Sequence, residues 1–207
     1  NNLIYELPTS VAATVLMFAQ GPHGGTGVIN SLYVYNNIFK YPVGAGFQME
    51  DVDTAFVYNN VFYEVANTPI NTSYQLWLTD GSTQITVKNN IFYCTYNSDA
   101  GGRGMGFVIE TNVSASEVDA NYNLYYRINN NLRVLYGGGI GYHMDDKALI
   151  TSTLGWETNG VFADPLFTST SDLTLQAGSP AIAAGIGVGL VSDYAGEVWK
   201  ATPSIGA

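Results

Sequence analysis

The sequence is short of positive charge, cysteine, histidine and long apolar runs, and each shortage removes a class of function. Only 7 Lys and Arg stand against 17 Asp and Glu, a formal net charge of −10, so the chain repels nucleic acid and anionic membrane surfaces. Its partners are expected to be neutral, cationic or bridged by a metal ion. The lone Cys94 excludes an internal disulfide, and its setting in an apolar phrase, IFYC, marks it as a small packing residue or an inert thiol. With His23 and His143 as the only histidines and the one Cys in a core phrase, a zinc site is disfavoured. No uncharged apolar run reaches the length of about 18 residues that a membrane-spanning helix needs, so no membrane span is expected. The glycine-rich phrases at 21–27 and 137–141 lack the strand-to-helix context of a phosphate or dinucleotide loop.

Against those absences stands one phrase written five times. VYNNIF at Val34–Phe39, VYNNVF at Val57–Phe62 and VKNNIF at Val87–Phe92 are joined by NNLIY at Asn1–Tyr5 and NYNLYY at Asn121–Tyr126. The second Asn of each phrase falls at Asn2, Asn37, Asn60, Asn90 and Asn123, giving intervals of 35, 23, 30 and 33 residues. Three strands of about five residues plus three turns account for the shortest interval, with loop insertions in the longer ones. A helical repeat is excluded by the β-branched and aromatic content, the Asn and Gly punctuation and the period-two alternation. Asn tolerates the left-handed backbone of a tight turn, and equivalent Asn side chains about 4.8 Å apart bond along a stack. The same corner must therefore be turned over the same core, with Phe39, Phe62, Phe92 and Tyr125 layered in one column.

These phrases, together with FADPLF at Phe162–Phe167, LTLQAGSPAIAAG at Leu173–Gly185 and the final SIGA at Ser204–Ala207, resemble the pectate-lyase-like right-handed parallel β-helix superfamily. Ala184 and Ser204 stand where that family frequently has Asp. The resemblance implies an all-β, right-handed parallel β-helix (a β-solenoid) of about 5 to 7 coils, spanning 1–207 as one domain and forming the C-terminal part of a longer protein. It also implies a secreted, extracellular or cell-surface protein whose partner is a polysaccharide or oligosaccharide lying along one sheet. Upstream coils, or another chain, would cover the N-terminal end.

A second strand precedes each Asn phrase. We align these as MFAQ at Met17–Gln20, FQME at Phe47–Glu50, LWLT at Leu76–Thr79, FVIE at Phe107–Glu110 and YHMD at Tyr142–Asp145. If the first and third residues of each face inward, two outward rows result. One holds Phe18, Gln48, Trp77, Val108 and His143; the other holds Gln20, Glu50, Thr79, Glu110 and Asp145. In the family resembled, the glycan groove runs along this sheet, and the loops at 21–27, 67–73, 97–106 and 129–139 would wall it. Trp77, with Gln48, Tyr74 and Tyr142, is the candidate sugar-contacting set, since an aromatic ring can stack on the apolar face of a sugar.

Glu50, Glu110 and Asp145 are the candidate acid, base or nucleophile of a glycoside hydrolase, whose two carboxylates stand about 5 to 5.5 Å apart when retaining and 6.5 to 9.5 Å when inverting. Acidic side chains that only keep a face wet are the plainer alternative for each. His143 and Arg103 are the candidates for a lyase, which needs a base and a cation beside the developing enolate. Asp51, Asp53 and Asp80 are candidate oxygen ligands for Ca²⁺, the one cofactor the sequence suggests. Few cations and many acids favour a neutral glycan over a polyuronate. Three functions follow: a polysaccharide-cleaving enzyme, a non-catalytic glycan-binding or surface-adhesion module, and a structural spacer.

Overall fold

The computed structural model describes residues 2–5, 15–20, 29, 31–40, 45–63, 74–95, 105–109, 113–129, 133–137, 139–198 and 200–206. The chain is mostly β, with one short helix. Its strands are β1 (Asn2–Tyr5), β2 (Val15–Gln20), β3 (Leu32–Tyr35), β4 (Asn37–Lys40), β5 (Ala45–Glu50), β6 (Ala55–Tyr58), β7 (Val61–Tyr63) and β8 (Tyr74–Thr79). They continue as β9 (Ile85–Lys88), β10 (Ile91–Cys94), β11 (Met105–Ile109), β12 (Val118–Asn121), β13 (Leu124–Arg127), β14 (Arg133–Gly137) and β15 (Ile140–His143). Helix α1 (Lys147–Leu154) and β16 (Val161–Phe162) follow. These strands sort into three sheets. Sheet A runs β1-β4-β7-β10-β13-β16, sheet B runs β15-β14-β11-β8-β5-β2, and sheet C runs β12-β9-β6-β3. All pairings are parallel except β14 with β15.

The register repeats what the phrases predict. Asn2 pairs with Asn37, Phe39 with Phe62, Phe62 with Phe92 and Phe92 with Tyr125. The rings stack at 4.7 Å for Phe39 on Phe62, 5.1 Å for Phe62 on Phe92 and 5.0 Å for Phe92 on Tyr125. Phe162 extends the column at 5.1 Å from Tyr125. Valines of sheet C and the Phe47, Leu76, Phe107 and Leu135 row of sheet B complete the buried core. Gly106 lets sheet B approach this column, because a Cβ there would lie 2.8 Å from that of Phe92.

Each Asn pair divides its labour. The first member takes the left-handed conformation at the corner between sheets C and A, with φ of 54° at Asn36, 53° at Asn59 and 59° at Asn89. The second member builds a buried amide ladder. The Asn37 amide donates to Asn60 Oδ1 at 3.1 Å, Asn60 to Asn90 Oδ1 at 2.9 Å, and Asn90 to Asn123 Oδ1 at 3.0 Å. In the fifth phrase the corner residue is Tyr122, at φ 59°, where a bulky side chain carries strain that Asn avoids. Tyr122→Asn is expected to raise stability by about 1 kcal/mol, read as a higher urea midpoint at unchanged m.

Beyond β16 the chain runs back over the outer face of sheet A. Ala181 and Ile205 pack there on Val61, Ile91 and Leu124. The outer Asn column fastens it: Asn89 Nδ2 donates to Ile186 O at 2.7 Å while Ile186 N donates to Asn89 Oδ1 at 2.9 Å. Asn36 Nδ2 adds a bond to Ser192 O at 2.6 Å. Cys94, the one cysteine, is buried. Among the described residues no helix is long and apolar enough to cross a membrane.

Candidate functional site

Sheet B brings together residues far apart in sequence. Gln48 of β5 is in register with Trp77 of β8, Trp77 with Val108 of β11, and Val108 with Tyr136 of β14. Their neighbours Phe47, Leu76, Phe107 and Leu135 are fully buried in the core, so alternation turns this row outward. Gln48, Trp77 and Tyr136 are half-buried, whereas Val108 is covered, at 3% exposure. Tyr74 meets the Trp77 ring edge-on, with centroids 5.0 Å apart and planes at 67°. This contact fixes the indole orientation and leaves an aromatic pair on the sheet surface. Phe18 pairs with Gln48 at the other end of the row.

The fifth member of the row differs from the sequence reading. Position and register belong to Tyr136, while Ile140–His143 folds back antiparallel on β14, Leu135 facing Tyr142 and Arg133 facing His143. Gly139, at φ 81°, turns the chain between them. His143 is therefore not in the Trp77 row. Its backbone N–H and Nδ1 both bond to Asp146 Oδ2, at 2.8 and 3.1 Å, which ties the imidazole to the turn before α1. Tyr142 is fully buried and packs in the core, so it offers no sugar contact. Asp145 is exposed in that same turn and off the row.

Glu50 does stay on sheet B, in register with Gln20 and Thr79. It is covered, at 7% exposure, as is Thr79 at 3%. Glu110 and Arg103, and most of the four loops expected to wall a groove, lie outside the described residues. Of the three carboxylates, then, the structure places Glu50 on the sheet and Asp145 away from it.

Asp51, Asp53 and Asp80 do not assemble a cation site. The Asp53 carboxylate accepts from Thr83 Oγ1 at 2.7 Å and from Gln84 Nε2 at 3.3 Å, which holds it to the turn before β9. The Asp51 N–H donates to the Asp80 carbonyl at 2.7 Å, a backbone link between repeats. Among the described residues no three His, Cys, Asp or Glu side chains converge as metal ligands.

Three features escaped the sequence reading. Tyr136 could have been found as the alternate residue in RVLYG. A second aromatic cluster, Tyr33, Tyr35, Phe56 and Tyr58, occupies the outer face of sheet C, and its signal was the alternation in LYVY and AFVY just before the Asn pairs. A cleft of about 660 Å³ lies between sheet A and the returning chain, over Ile38, Val61 and Ile91 and under Leu173, Leu175 and Ile182. The chain matches no family model, no curated protein and no solved structure.

Proposed function

We propose that the chain is a right-handed parallel β-helix module of the pectate-lyase-like kind that acts outside the cell and binds a neutral polysaccharide along the outer face of sheet B. Three sheets that each take one strand per repeat from β1 to β12, with a buried Asn ladder at one corner, support the winding, and parallel crossovers are right-handed in nearly all proteins. One observation carries the functional reading: Gln48, Trp77 and Tyr136 share a single outward row across β5, β8 and β14. Trp77 and Tyr136 are two strands apart, about 9.6 Å, so one extended glycan can reach both rings, with the Gln48 amide beside them for hydroxyl groups. The excess of acid over base favours an uncharged chain over a uronate.

Binding is the activity this row supports best. Cleavage is a second reading, favoured by Glu50 alone, which lies two residues along β5 from Gln48 on the same face. A hydrolase needs a partner carboxylate at the separations given above, and Glu110 is the residue to test for it.

The experiment is retention on a panel of insoluble neutral polysaccharides, with reducing ends and unsaturated products measured in parallel. Trp77→Ala is expected to weaken binding about tenfold or more. Retention unchanged in both Trp77→Ala and Tyr136→Ala would remove sheet B as the binding face. Product release by the native chain that persists in Glu50→Gln and Glu110→Gln would remove both carboxylates from the chemistry.

A further inference from the structure

We infer that the glycan of the sheet B row is a flat ribbon, a neutral chain of pyranoses joined through equatorial 1,4 bonds, lying across the strands with every second sugar at an aromatic residue. This rests on the reading of sheet B as the binding face and names the class of chain that the face selects.

The first support is the order of residues along the row. Phe18 of β2 is in register with Gln48 of β5, Gln48 with Trp77 of β8, Trp77 with Val108 of β11, and Val108 with Tyr136 of β14. Aromatic residues therefore take the first, third and fifth places, with an amide and an aliphatic residue between them. Stacking alone does not demand this, because the core columns carry a large apolar residue at every level, as in Phe39, Phe62 and Phe92 of sheet A and Phe47, Leu76, Phe107 and Leu135 of sheet B. The two-level alternation belongs to the outer row. The places from Gln48 to Tyr136 lie on β5, β8, β11 and β14, each with a strand on either side, so this part of the row is the middle of the sheet and not its edge.

The second support is spacing. Neighbouring strands stand about 4.8 Å apart, so the aromatic places recur at about 9.6 Å. A pyranose in an extended chain advances it by close to one strand spacing, about 5 Å. When both bonds to the chain are equatorial, each sugar is turned half a revolution from the last, and every second ring shows the same apolar face. Trp77 and Tyr136 then meet like faces, while the sugar between them lies at Val108, which is covered and carries no ring. An axial bond, as in an α-1,4-glucan, coils the chain and turns its apolar faces away from a straight row.

The third support is order and charge at the site. Tyr74 meets the Trp77 ring edge-on at 5.0 Å, so the indole is already oriented and loses little freedom when a sugar stacks on it. No residue of the row is charged, and Glu50, two residues along β5 from Gln48 on the same face, repels a uronate carboxylate.

The test is calorimetric titration of the native chain with cellohexaose, xylohexaose and mannohexaose as ribbons and with maltohexaose, which has the glucose of cellohexaose in the coiling linkage. At least one ribbon is expected to bind about tenfold or more tighter than maltohexaose, and its dimer, which reaches one ring only, should bind about tenfold or more weaker than the hexamer. Trp77→Leu and Tyr136→Leu, which keep apolar cover on the sheet, should each weaken the hexamer about tenfold. Maltohexaose bound as tightly as every ribbon, and weakened by Trp77→Leu, overturns the inference and leaves sheet B as the binding face. A ribbon bound equally as dimer and hexamer does the same. Ribbon binding that neither substitution weakens overturns the reading of sheet B as well. If no hexamer binds, the inference fails, and retention of the Trp77→Ala and Tyr136→Ala chains on insoluble polysaccharide decides the reading by itself.

Discussion

Asn90→Ala is expected to lower the free energy of unfolding by about 4 kcal/mol, far beyond what a surface asparagine contributes. Asn90 is fully buried at the middle of the ladder. Its side-chain amide donates to Val57 O at 2.8 Å, Lys88 O at 3.0 Å and Asn123 Oδ1 at 3.0 Å. Its Oδ1 accepts from both the backbone N–H and the side-chain amide of Asn60, at 3.0 and 2.9 Å. Truncation removes all five bonds, strands the buried Asn60 N–H and opens a hole where water has no route to replace them. Each buried group left unsatisfied costs about 1 to 3 kcal/mol, and some of the others keep a second partner, which limits the total. Asn36→Ala is the control. That residue loses one bond, to Ser192 O, and Ala at its φ of 54° adds backbone strain, so it should cost about 2 kcal/mol. Urea unfolding of the two variants beside the native chain decides the matter: equal losses would mean that the inner amides are not coupled as a ladder.

The ladder and the aromatic column were legible in the sequence because both are consequences of repetition. Stacking one corner on another requires the same short polar residue and the same ring at each level, so VYNNIF, VYNNVF and VKNNIF announce Asn37, Asn60 and Asn90 over Phe39, Phe62 and Phe92 directly. FQME and LWLT of sheet B were legible for a different reason, the period-two alternation that sets Phe47 and Leu76 in the core and Gln48 and Trp77 on the opposite face. Alternation has period two in parallel and antiparallel strands alike, which is why YHMD was aligned with FVIE when RVLYG occupies that place. Only the antiparallel return of β15 on β14, with Gly139 at φ 81°, separates the two. The candidate site follows the same division. Gln48 and Trp77 sit where their quartets put them, while His143, Tyr142 and Asp145 shift together because one hairpin displaces all three. Nothing local marks the end of the amide ladder either, since the residue that closes it lies three positions away from the expected slot.

That closing residue underlies the second large effect, a rise in stability on acidification. By register Leu124 pairs with Val161, so the place of a sixth ladder Asn belongs to Gly160. A Cβ there would stand 2.5 Å from Glu157 Oε2, and the absent side chain leaves room for the Glu157 carboxyl. Glu157 Oε1 accepts from the Asn123 amide at 2.7 Å and from the Tyr125 hydroxyl at 2.9 Å, and Oε2 accepts from the Asn123 N–H at 3.2 Å. Burial nonetheless dominates. Desolvation raises the Glu157 pKa to about 7 against these bonds and the Lys147 charge, which all lower it. The sign follows from proton linkage. Between the ordinary value of 4.5 and the folded value of about 7, the native chain holds a proton that the unfolded chain has released, so stability falls as pH rises through this window. The contribution is fully present below about pH 4.5, is gone above about pH 7, and amounts to about 3 kcal/mol. Glu157→Gln removes the titration while keeping an acceptor for Asn123 and Tyr125. Urea midpoints at pH 5, 6, 7 and 8 should therefore decline for the native chain more steeply than for Glu157→Gln, the difference between the two curves isolating this carboxyl from every other group that titrates. Parallel curves would show that Glu157 is already ionised throughout, held by the three donors at the foot of the ladder, and the ladder would then end on a buried charge.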